Sequence, residues 1–249
     1  MTNITIKKTL FAGLSLALCG LGSNAHAHTG IQNQINGTGN TYNNIVIGHT
    51  CVLNGRDIPI TAQSVVFPTV APIFTVNNTI DPDLKLEDFT NRSTLAGWPQ
   101  LIQDKNIFKR QSEKTNANGD VIGFEGTNGR LDHTLHGLVP FRTAGISFKE
   151  DTTGIVGQAC IQRLQIKIAI ADICRNRFPP VEGTANTWIP NTTSKFTTEM
   201  NGATSVPRSG APATLTINNP NCAEGETVVM WPSDQDVDAN LPIQRRWGR

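Results

Sequence analysis

The chain has 249 residues, with 21 Lys and Arg against 20 Asp and Glu, a formal charge of +1 and 38% hydrophobic residues. A balance so close to neutral argues against an electrostatic grip on nucleic acid or acidic lipid. The length suffices for one sizeable core, and 22 Gly and 14 Pro among many Asn and Thr predict an all-β fold rich in turns.

Residues 1–27 read as a secretory signal peptide. Lys7 and Lys8 precede an apolar run from Thr9 to Leu21, and Ala25-His26-Ala27 supplies small residues at the positions a signal peptidase reads. The apolar run is too short to span a bilayer. Lipidation at Cys19 is disfavoured because Leu18 stands where a small residue is expected. Cleavage after Ala27 leaves 222 residues and, with two lysines and no acid removed, takes the charge from +1 to −1. The mature chain then begins at His28, which carries a free α-amine beside its own imidazole. Such a pair of nitrogens can be deprotonated near neutrality, and copper(II) is the divalent ion that binds tetragonal nitrogen sets best.

From His28 to Thr41 the chain is polar and Gly/Asn-rich and is expected to be a loosely held arm. Strands are predicted over Ile45-Val46-Ile47 and between Pro59 and Pro68, with Asn54-Gly55 as a turn between them. Residues 69–96 predict strand and loop without helix, and Gly97-Trp98-Pro99 marks a sharp feature. Leu101 to Lys109 is a further strand candidate before a turn at Asn116–Asp120. The clearest periodicity follows: Leu164, Ile166, Ile168 and Ile170 alternate with Gln165, Lys167 and Ala169, the pattern of a strand with one face on the core and one toward solvent. Thr214–Ile217 and Thr227–Trp231 are later strands after a long Pro/Gly/Thr-rich connection over residues 179–213, and the basic end Arg245–Arg249 reads as a solvated tail. Strands at this density imply a β-sandwich of immunoglobulin-like or cupredoxin-like type. The expected organisation is a domain over 28–192 and a β-rich C-terminal extension over 193–249, packed on that domain.

Cys51, Cys160, Cys174 and Cys222 remain after cleavage, an even number without Cys-x-x-Cys spacing. In an exported chain two disulfides are favoured over a metal site, and three pairings are open.

Several landmarks resemble the YcnI-like family of bacterial periplasmic copper-binding domains. They are a signal ending immediately before His28, Gly48-His49-Thr50-Cys51 followed by Val65-Val66-Phe67-Pro68, the Ala96-Gly97-Trp98 step, the strand from Leu164 to Cys174, and Thr187-Trp188-Ile189. The resemblance covers residues 28–192. It implies copper(II) held by the amine and ring of His28, supported by a carboxylate and approached by the ring of Trp188. It also implies pairing of Cys51 with Cys174, which leaves Cys160 to Cys222. This chain departs from the family in Gly48 and Thr50, which flank His49, and no residue can be assigned as the carboxylate from sequence.

His49, beside a disulfide cysteine, is expected to fill a structural niche. His133 and His136 stand three apart in a segment that predicts loop, and they are the alternative ligands. Trp98 and Trp231 are read as packing residues. No Gly-x-Ser-x-Gly, His-Glu-x-x-His, phosphate loop or nicotinamide fingerprint occurs. The leading expectation is a non-catalytic copper binder of the periplasm or secreted space that holds the ion or passes it to another copper protein. A copper-dependent polysaccharide monooxygenase-like enzyme is the second, with His133 or His136 as the further ligand. A metal-free cell-surface interaction protein is the third.

Overall fold

The computed structural model describes residues 28–33, 35–36, 38–175, 181–197 and 203–243. The leader and the basic end expected from the sequence lie outside the described residues. The fold is an all-β sandwich, and two disulfides, Cys51–Cys174 and Cys160–Cys222, staple it.

The chain enters through β1 (Gly30–Ile31) and β2 (Ile35–Asn36) before β3 (Thr41–Ile47). The arm expected to be loose is therefore held: Gly30 and Ile31 pair with Val46 and Ile45 of β3, and Thr29 and Ile31 are buried. Polar composition hid this because a short edge strand is fixed by its neighbour rather than by its own pattern. β4 (Cys51–Leu53) and β5 (Arg56–Ile58) form a hairpin about Asn54-Gly55, both residues with positive φ as a tight turn requires. β6 (Ala62–Val66), β7 (Ile73–Val76) and β8 (Thr79–Ile80) follow. One helical turn, α1 (Leu86–Phe89), corrects the helix-free expectation for residues 69–96. Leu86 and Phe89 face the core at i, i+3 spacing, and the Asp88 carboxylate accepts the Lys85 backbone N–H at 2.7 Å.

The strand expected over Leu101–Lys109 divides into β9 (Pro99–Leu101) and β10 (Phe108–Thr115). Between them Asp104 accepts the Asn106 N–H at 2.7 Å, a local turn that interrupts extension. β10 is mostly polar and exposed because it is an edge strand, paired only to β11 (Val121–Gly129). β12 (Gly137–Thr143) completes a four-stranded sheet of order β1-β3-β12-β9.

The larger sheet is built on β13 (Ile161–Ile173), thirteen residues long. Its first half lies between β15 (Ala213–Asn218) and the parallel strand β16 (Glu226–Trp231), and its second half between β6 and β14 (Ala185–Trp188). Strands from the C-terminal part of the chain thus join the same sheet as strands from the first half. A final helix, α2 (Asp234–Asn240), is capped by Ser233, whose hydroxyl accepts the Asp236 N–H.

Between the two sheets Ile45, Ile47, Val139 and Phe141 meet Val65, Phe67, Leu164 and Ile166 in one core. Phe67 stands edge-on to Trp98, Phe124 and Phe141, with ring centroids 5.9, 5.6 and 6.1 Å away. The predicted solvent face of β13 holds only in its first half. From Ile168 onward every residue is buried, because Ala169, Ala171 and Ile173 are covered by Ile189, Phe196, Val237 and Leu241. No helix among the described residues is long and apolar enough to cross a membrane.

Candidate metal-binding terminus

Side chains alternate along a strand, so the even positions of β13 that carry Leu164, Ile166, Ile168 and Ile170 toward the core also carry Asp172 there. Cross-strand register then sets its neighbours. Gln63 of β6 and Asn186 of β14 lie opposite Asp172, and Val65 and Trp188 lie opposite Ile170. A polar row, Gln63-Asp172-Asn186, therefore borders an apolar row, Val65-Ile170-Trp188, at one end of the sandwich.

The other sheet delivers the second half of the site. β1 and β3 are antiparallel, so the residues before β1 and those after β3 meet at this same end. These are His28 and Thr29 on one side and His49 and Thr50 on the other. The ring of exposed His28 lies 4.8 Å from the Trp188 ring at a tilt of 44°, and the ring of His49 stands edge-on to Trp188 at 5.2 Å. The Cys51–Cys174 disulfide ties the two sheets beside the site, with the Cys51 N–H directed at Cys174 Sγ.

Asp172 is fully buried. Its Oδ2 accepts from the Thr29 hydroxyl at 2.5 Å and from Trp188 Nε1 at 2.8 Å, while Oδ1 accepts from Gln63 Nε2 at 2.8 Å. Burial pushes its carboxyl above the ordinary carboxylate range, and these three hydrogen bonds together with the charge of His49 pull it back. His49 Nδ1 lies 3.0 Å from the Thr50 carbonyl and 3.2 Å from the Asn186 amide nitrogen. Among the described residues its Nε2 has no hydrogen-bond partner, although it is buried.

This arrangement brings together His28 and Trp188, which the resemblance places at the metal, with His49, expected from the sequence to fill a structural niche, and with Asp172, which the sequence did not single out. His133 and His136 sit instead on an exposed turn between Leu131 and β12. Among the described residues, no three His, Cys, Asp or Glu side chains stand close enough to hold a metal ion. Were His28 the first residue, its α-amine and ring nitrogen would form a chelate without a third side chain. Asp172 fits poorly as a direct ligand, since its oxygens already serve three donors. Trp98 donates from Nε1 to the Ala144 carbonyl at 2.6 Å, and Trp231 donates to the Thr75 hydroxyl at 3.0 Å; both rings pack within the body of the sandwich.

No family model matches the chain, and neither the curated proteins nor the solved structures contain a match to it.

Proposed function

We propose that the protein is an exported, periplasmic copper(II) binder that takes the ion at a mature terminus beginning with His28. The observation that carries this reading is the placement of the His28 ring against the buried Trp188 ring. A flexible terminal residue loses entropy on binding a metal, and a ring already seated on an aromatic wall has lost part of it beforehand. The resemblance to YcnI-like domains points the same way through the order of its landmarks. A disulfide-stapled fold suits an oxidising compartment, in which a copper site of this kind is useful. The protein holds the ion or delivers it to another copper protein.

The test is copper(II) titration of the secreted protein, with its first residue established by mass, beside a form whose His28 α-amine has been acetylated. Acetylation turns the amine of His28 into an amide without supplying a new terminal amine, so tight binding by the nitrogen pair should be lost. Equal affinity for the two forms would end the proposal.

The enzyme reading needs a second histidine, and His49 with its unpartnered Nε2 is better placed for that than His133 or His136. Replacing His49 by Ala should leave the copper spectrum unchanged in a one-histidine carrier and alter it in a two-histidine enzyme.

A further inference from the structure

Three donors converge on Asp172, and two of them belong to the parts of the site that must stay together. Thr29 is the residue next to His28, and its hydroxyl reaches across a sequence separation of 143 residues to the carboxylate. Trp188 is the ring on which His28 rests, and its indole N–H meets the same oxygen, Oδ2. Gln63 holds the other oxygen and so fixes the plane of the group. A shared acceptor of this kind sets the position of the terminal segment relative to the indole, because moving either donor stretches a buried hydrogen bond.

We infer that Asp172 is the positioning residue of the His28 terminus: a buried carboxylate that locks Thr29 and Trp188 to one oxygen, orients the His28 ring, and does not itself take the metal. This rests on the copper reading above for its purpose, although the positioning acts in the metal-free protein as well. Outer residues that orient a ligand affect metal affinity by about tenfold to a hundredfold when removed.

The experiment uses the exported protein beginning at His28 and compares Thr29→Val, Thr29→Ser and Asp172→Asn. Thr29→Val keeps the branched shape and deletes the hydroxyl, whereas Thr29→Ser keeps the hydroxyl. Two readouts are needed. In the metal-free protein, the His28 ring protons should show a ring-current displacement from Trp188 that collapses in Thr29→Val and Asp172→Asn and survives in Thr29→Ser. With copper(II) added, affinity should fall about tenfold or more in the first two variants and stay near the parent in Thr29→Ser. The electron paramagnetic resonance spectrum of Asp172→Asn should retain the parent's coordination.

Unchanged ring-current shifts and affinity in Thr29→Val would overturn the inference. So would a spectrum showing that Asp172→Asn loses an oxygen ligand. If Asp172→Asn does not fold, the Thr29 pair decides alone. If the parent protein takes no copper, the copper reading fails, and the ring-current arm still decides the positioning role.

Discussion

Among the described residues two aspartates are fully buried, and they are solvated by protein in different ways. Asp236, in the first turn of α2, accepts backbone N–H groups from Thr69 and Val70, both at 2.8 Å, and the Asn240 side-chain amide at 2.8 Å. Among the described residues, the donors to Asp172 are the side chains of Thr29, Gln63 and Trp188. Burial raises both carboxyls above their ordinary value of 3.8. A carboxylate answered by backbone fastens one segment of fold to another. A carboxylate answered by side chains from separate segments sets the relative position of those side chains, and in this protein they border His28.

The comparison breaks most visibly at Asp236. Replacing it with Ala strands two backbone donors of the 69–70 loop and should lower stability by about 3 kcal/mol in urea unfolding, with copper affinity of the folded protein unchanged. A large loss of affinity without a loss of stability would erase the distinction between the two sites.

A smaller effect, about 1–2 kcal/mol, is expected for Asp172→Asn, which keeps the shape and one acceptor oxygen. Its sign depends on pH. A carboxyl raised in the folded state binds protons that the unfolded chain has released, so its contribution to stability falls as pH climbs from about 4 toward its folded value. The advantage of the parent over Asp172→Asn should therefore be larger at pH 4 than at pH 7. A gap that widens with pH would contradict this.

A third effect, read as a slope of stability against pH, concerns the fastening around α2. Lys114 Nζ donates to the Ser64 hydroxyl oxygen and to the Asn240 carbonyl, each at 2.5 Å, while the Ser64 hydroxyl donates to the Leu241 carbonyl. Burial pushes Lys114 down to about 7, opposed by Glu125. Between pH 7 and 10 the unfolded chain binds the proton more readily than the folded one. The part of stability owed to Lys114 should thus rise with pH over that range. Lys114→Met should flatten that limb in unfolding measured at pH 7 and pH 9.5.

Much of the fold could be read before any coordinates. The alternation from Leu164 to Ile170 located the central strand, and Asn54-Gly55 located a turn, because both depend on local rules. The limits are as informative. Ala169 and Ala171 read as one side of a half-exposed strand, yet Val237 and Leu241, more than sixty residues later, cover them. Asp172 left a trace: counting in twos from Leu164 lands on it, so an acid on the core face was legible. Its donors were not, since nothing in the spacing of Thr29, Gln63 and Trp188 foretells that they meet. The nearness of His28 to Trp188 followed from a resemblance rather than from the residues, and the edge-on His49 followed from neither.

The two halves of β13 answer to different neighbours, which makes its length a ruler. Deleting one residue near Ala169 would leave the Arg163–Lys167 pairing with β15 in place and turn every later side chain to the opposite face. Asp172 would then be aimed at α2, and an apolar neighbour would fill its station beside Trp188. A shift of a single pleat, far along the chain from His28, would in this way unseat the His28 ring.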